Sequence, residues 1–453
     1  MGNILTPLTC RSEDAAPTSF YLGGDGADSQ SAPDGNLRLV VSVSIDDRDP
    51  AAAQRLLASL QGAGAMPLSP HKANTQELTT LDWYRTGASD WGGQDHTDWD
   101  FDIWRVPKSA YLSLTMRVLS DFDCPNTQLL NKQAWATLFR RVEAYMSASV
   151  NPYHNLTHVV DVFVATSVFL NVLRKDPTAN FRDVDLCVML VTALVHDLEH
   201  PGTTNSYQVN SGSTLALRYS DISVCEYHHA ALTSQMLAQP ETAIFANLEP
   251  STQRQIRKTM ISLILSTDNT QHFNLKRELE AINSKRDQKQ PTASSSDPER
   301  DRLTIMKCVL HAADISNPAK PWALARKWSD LILDEFFLQG DKEREKGLEI
   351  SLNCDRYTVF QDEMSCKFID IIVFPFFDEL CDLLPETFFM IACIKNNRKM
   401  WHELLVSRIA KQDPIGNAAQ IVSCNEKWTV FASECDTTIK FAEETARKKS
   451  TAP

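Results

Sequence analysis

The stretch ALVHDLEHPGTTN, residues 193–205, limits what this chain can fold into more than any other. An apolar run carries His196, Asp197, Glu199 and His200 to its end before Pro201-Gly202 breaks the chain. Ionisable groups at the buried end of an apolar segment are costly unless hydrogen bonds, opposite charge or a metal compensates them. Three other segments set ionisable residues in otherwise apolar, helical sequence. NPYHNLTHVVDV (151–162) has His154 and His158 four apart, a spacing that places both imidazoles on one face of a helix. CEYHHAA (225–231) holds Glu226, His228 and His229, and LHAADISNP (310–318) ends an apolar helix at Asp314.

Each feature has a plain structural explanation. A histidine on a helix is commonly a satisfied core residue, Glu226 follows Ser223 at capping-box spacing, and Asp314 can cap the SNP turn. Taken together, two histidines and two aspartates suit a divalent site with mixed nitrogen and oxygen donors. No cysteine lies in the 193–205 motif, so a closed structural zinc is disfavoured. An open site leaves coordination positions for water, and metal-bound water is a nucleophile near neutral pH.

From about residue 100 the apolar residues recur three and four apart, as in AWATLFRRVEAYMSA, ARKWSDLILDEFF and FIDIIVFPFFDELCDLL, which predicts an all-α domain. Residues 1–95 read as a variable leader. Within it, 11–36 is rich in Gly, Ser, Asp and Pro and reads as disordered, 37–45 is a candidate strand and 51–60 a candidate helix. The domain reads as 98–445 with a short tail at 446–453, and the charged, Ser/Pro-bearing stretch 283–302 reads as a mobile loop.

A net charge of −13 gives no electrostatic footprint for nucleic acid, and any anionic ligand needs a local positive centre such as a metal. The eleven cysteines are scattered and contain no C-x-x-C pair, arguing for a reducing compartment and against a disulfide framework. Apolar runs such as LCVMLVTALV are about half a membrane span, and no secretory signal is present, so the expected location is cytoplasmic. Gly2 and Thr6 match a myristoylation pattern, with Cys10 beside them as a palmitoylation site, and together they would supply the two signals that stable membrane association requires.

The combination of YHNLTH, HDLEHPGTTN, CEYHH, LHAADISNP and DEFFLQGDKEREKGLEIS resembles the catalytic domain of the class I 3′,5′-cyclic nucleotide phosphodiesterases, a multi-helix fold of the HD superfamily, over about residues 98–440. The resemblance implies that His158, His196, Asp197 and Asp314 hold a first metal, usually zinc. It implies that Asp197 also reaches a second ion, usually magnesium or manganese, and that a hydroxide bridging the two attacks the cyclic phosphate. His154 would protonate the departing O3′, and His200, Asn205, Glu226 and His229 would orient ligands and waters.

In this family the purine lies between a phenylalanine and an aliphatic side chain, and Phe368 and Ile332 occupy those positions here. The family's glutamine three residues before that phenylalanine is Ser365, and its small residue just before it is Lys367. A serine cannot make an amide's two contacts, which predicts weak substrate affinity. Gln361 lies one turn earlier, at an axial offset of about 6 Å that exceeds its reach into the vacancy. Asn317 can both donate to and accept from an adenine edge, which favours cAMP over cGMP. The expected activity is therefore cAMP-preferring hydrolysis to the 5′-monophosphate. The rival readings are an HD-type phosphohydrolase acting on acyclic phosphates and a nucleotide-binding pseudoenzyme.

Overall fold

The structure is a computed structural model that describes Thr18–Tyr21, Val40–Val43 and residues 91–451, apart from 92, 125–128, 149, 177–180, 288–297 and 414–415. Two units, 1–77 and 78–453, are described separately. In the first, strand β1 (Thr18–Tyr21) pairs antiparallel with β2 (Val40–Val43), Thr18 opposite Val43 and Tyr21 opposite Val40. β2 falls inside the candidate strand 37–45, whereas β1 is regular structure within a stretch that reads as disordered. The candidate helix 51–60 and the acylation residues Gly2 and Cys10 lie outside the described residues.

The second unit is helical, with no strand among its described residues. Its helices are α1 (Tyr111–Asp121), α2 (Lys132–Ser147), α3 (Leu156–Leu173), α4 (Asp183–Val195), α5 (Asn205–Asn210), α6 (Thr214–Arg218), α7 (Val224–Leu237), α8 (Pro250–Leu265), α9 (His272–Asp287), α10 (Pro298–Asp314), α11 (Trp322–Glu345), α12 (Gln361–Phe368), α13 (Phe374–Leu383), α14 (Phe388–Gln412) and α15 (Ala418–Thr451). α3 and α4 form the centre. Both are apolar around nearly their whole circumference, and such helices must be covered on all sides. α3 packs against α1, α2, α4 and α10, while α10 also contacts α4, α8 and α9. By length and composition α3 could cross a membrane, but 89% of its apolar window is buried inside this fold.

Three local details depart from the sequence reading. Cys124, just after α1, is disulfide-bonded to Cys187 in α4, at a sequence separation of 63 and with no spacing cue to reveal the pair; the other eight described cysteines are free. Both ends of the stretch expected to be a loop, 283–302, are helical. α9 runs to Asp287, tethered by Asn283 to the Glu379 carbonyl (2.8 Å) and by Arg286 to Asp176 (3.0 Å), and α10 starts at Pro298. The apolar run 368–384 is also not one helix: a π-helical turn, Ile369–Val373, separates α12 from α13. Pro375, with no N–H to give, sits in the first turn of α13, and a missing donor is a recognised cause of such a break.

Candidate active site

The site forms where the first turn of α3 meets the ends of α4 and α10. Asn155 caps α3, its side chain accepting from the Thr157 and His158 amides at 2.9 and 3.4 Å. His154 therefore precedes the helix and does not share a helical face with His158 as the spacing suggested, although the two rings still lie 5.5 Å apart. α4 stops at Val195, so His196 and Asp197 leave from its C-terminus, and Asp314 is the last residue of α10. Helix C-termini favour positive charge beside them.

His158 Nε2 lies 3.3 Å from Asp197 Oδ2 and 3.2 Å from Asp314 Oδ1, and His196 Nε2 lies 3.3 Å from both carboxylates. One donor atom from each of these four residues falls within 4.8 Å of the others. The residues fit a divalent cation. His196 Nδ1 donates to the Ala193 carbonyl at 2.9 Å, which aims Nε2 at the carboxylates. Both ring nitrogens of His158 are buried without a hydrogen-bond partner. Orphaned buried nitrogens facing two carboxylates are what a bound cation compensates. Burial alone would raise the Asp197 and Asp314 pKa values, but the charge of His196 and the close approach of the His158 ring outweigh it and hold both carboxyls low.

Neighbouring residues hold these groups in place. Glu199 turns the chain in the left-handed region (φ 60°), so His200 is not on a helix with His196 but stacks on the His154 ring at 3.8 Å. Gly202 (φ +65°) donates its amide to His200 Nδ1 at 3.1 Å; a Cβ there would lie 2.4 Å from Asn151 Oδ1, and Asn151 itself holds the His200 carbonyl at 2.7 Å. Burial and the His154 charge keep His200 neutral. His229 Nδ1 donates to the Leu198 carbonyl at 2.7 Å and presents Nε2 3.8 Å from Asp197 Oδ1. Glu226 accepts from Asn205 Nδ2 at 2.8 Å, while Asn205 Oδ1 accepts from the Cys225 amide at 2.9 Å. The capping-box explanation for Glu226 does not hold, because Ser223 makes no cap and instead bonds Asp268.

Sequence reasoning missed Glu335. From α11 its Oε2 accepts the Tyr153 and His154 amides at 2.9 and 3.0 Å, and its Oε1 pairs with His154 Nδ1 at 2.5 Å. Burial would lower the His154 pKa, but the Glu335 charge and hydrogen bond overcome it and raise it to about 9. A signal was available: Glu335 shares the buried helical face of Trp328, Ile332 and Gln339, where an acid calls for explanation. Tyr153 was missed too. Its ring packs 4.6 Å from that of His158, and its hydroxyl donates to Asn317 Oδ1.

The four residues assigned to the base lie on other elements, and of these Asn317 is joined to the site through Tyr153. Asn317 is buried and its Nδ2 has no partner. Ile332 is half-buried on α11, and Phe368 is 38% exposed at the end of α12. Ser365 is buried, its Oγ 3.1 Å from Ser329 Oγ. Lys367 points outward in an ion pair with Glu363. The Gln361 amide instead bonds Ser329 across the α11–α12 seam at 3.1 Å.

The comparisons agree with this geometry. Residues 153–394 match the family model for 3′,5′-cyclic nucleotide phosphodiesterase, more than half of the chain. The chain belongs to that family, and its helical unit is a class I catalytic domain. The 3′,5′-cyclic-AMP phosphodiesterase, isoform F, of Drosophila melanogaster is 36% identical over 256 residues, covering 56% of this chain and 38% of that relative. The chain thus spans well under half the length of such relatives. The phosphodiesterase domain of the RhoPDE fusion protein from the choanoflagellate Salpingoeca rosetta superposes with a TM-score of 0.64 at 26% identity, covering 71% of this chain and 99% of that domain. A second structure, the phosphodiesterase domain of Salpingoeca rosetta rhodopsin phosphodiesterase, gives a TM-score of 0.65 at 26% identity, covering 73% and 98%.

Proposed function

We propose that this protein hydrolyses 3′,5′-cyclic nucleotides to nucleoside 5′-monophosphates, with cAMP preferred over cGMP. The observation that carries the reading is the His154–Glu335 pair set beside the His158, His196, Asp197 and Asp314 cluster. With Nδ1 held by Glu335, His154 offers the Nε2 proton to the departing O3′, and general acids of this kind are worth about 10²–10⁴-fold. The four-residue cluster would hold zinc, and Asp197 would also reach a magnesium or manganese ion; such cations neutralise phosphoryl oxygens and supply a water nucleophile of lowered pKa. His200, His229, Asn205 and Glu226 hold the remaining geometry around that cluster.

Asn317, Ile332, Ser365 and Phe368 are assigned to the base. Tyr153 engages Asn317 Oδ1 and leaves Nδ2 as a buried free donor, while the second lone pair of Oδ1 can accept from an exocyclic amine; this supports the preference for adenine. The test is chromatographic identification of the product formed from cAMP, from cGMP and from an acyclic phosphate monoester, with zinc and magnesium or manganese present. Adenosine 5′-monophosphate from cAMP is expected. Release of phosphate from the acyclic ester alone would overturn the reading.

A further inference from the structure

We infer that Gln361 and Ser329 are positioning residues that turn Ser365 into a one-directional hydrogen-bond donor toward the purine; this rests on the reading that Ser365 faces the base. Gln361 Nε2 lies 2.6 Å from Asp330 Oδ1 and 3.1 Å from Ser329 Oγ, and Asp330 also accepts from Arg326 at 3.2 Å. A carboxylate only accepts, so the amide nitrogen, not its oxygen, must face Asp330. The second hydrogen of the same NH₂ group is then given to Ser329 Oγ.

Ser329 thus accepts from Gln361 and keeps its own hydrogen for Ser365 Oγ, 3.1 Å away. Of the two side-chain bonds Ser329 makes, the one to Ser365 is the one that can take its hydrogen. Bonds running in one sense polarise one another, which favours the order Gln361, Ser329, Ser365. The Ser365 hydrogen is left as the free end of the chain. A single strengthened O–H donor matches a ring-nitrogen acceptor on the base. The amide that a serine cannot supply is therefore restored in part, at one remove and with one fixed polarity.

The experiment measures KM for cAMP in the full chain, loaded with zinc and magnesium, for wild type, Ser365→Ala, Gln361→Met, the double variant and Ser329→Thr. Each of the first two single variants is expected to raise KM about 2–10-fold, with a smaller effect on kcat. The double variant should be no worse than the worse single one, because the two residues act as a unit. Ser329→Thr keeps the hydroxyl and should stay near wild type. Of 1-deaza-cAMP and 7-deaza-cAMP, one should bind worse to wild type, and that penalty should vanish in Gln361→Met. An unchanged KM in Gln361→Met, or additive effects in the double variant, would overturn the relay while leaving Ser365 as a base contact. An unchanged KM in Ser365→Ala would instead sink the assignment of Ser365 to the base, and the relay with it.

Discussion

The two poles of the site are built differently. At the metal pole most polar groups around His158 are fixed by hydrogen bonds to the protein. His196 is fixed by a backbone carbonyl, His229 by another, and Asn205 is held between Glu226 and the Cys225 amide. His154 is pinned by its amide and its ring to one buried carboxylate. At the proposed base pole Asn317 has one side-chain partner, Phe368 is 38% exposed, and Ser365 stands where the family's amide would make two contacts. Reactions need fixed geometry at the bond that breaks, whereas a flat base tolerates a looser wall. The contrast predicts chemistry of ordinary strength attached to weak recognition.

Breaking the metal pole should have the largest effect. Asp314→Ala removes an oxygen ligand and should lower both bound metal, read by elemental analysis, and cAMP turnover by more than about 100-fold, the upper end seen for losing an outer partner alone. If turnover persists at normal metal content, Asp314 is not a ligand. His154→Ala should come next, costing about 10²–10⁴-fold in kcat with metal content unchanged. Loss of metal in that variant would assign His154 to the metal rather than to the leaving group.

Glu335→Gln tests how the acid is tuned. Because Glu335 raises the His154 pKa to about 9, the protonated acid should persist to that pH, and kcat/KM should fall on the alkaline side as the proton is lost. Removing the carboxylate charge should move that limb to lower pH, toward the ordinary histidine value of about 6.5. An unmoved limb would mean that another group titrates there. The smallest effect sharpens the base pole: Ser365→Gln should lower KM for cAMP by about 2–10-fold, and no change would show that position 365 does not contact the base.

How far the sequence disclosed this site follows the same division. His158, His196, Asp197 and Asp314 were legible because ionisable residues in apolar helices demand compensation, whatever the tertiary arrangement. Their backbone settings were not: His154 lies before a cap, and His200 reaches His154 through the left-handed turn at Glu199, which spacing alone cannot show. Glu335 was hidden because it stands next to Asp334 in sequence, and only the phase of a long helix separates the buried acid from the exposed one. The Gln361–Ser329–Ser365 chain crosses two helices, so no local pattern announces it.

The two poles together predict catalysis of ordinary strength joined to weak recognition. This is tested most directly by a full saturation curve for cAMP hydrolysis by the intact chain, with zinc and magnesium verified in the protein and substrate carried well into the millimolar range. Turnover of about 1–10³ s⁻¹ with late saturation is the predicted result. A submicromolar KM would contradict the account of the base pole, and absence of turnover in the metal-replete protein would contradict the account of the whole site.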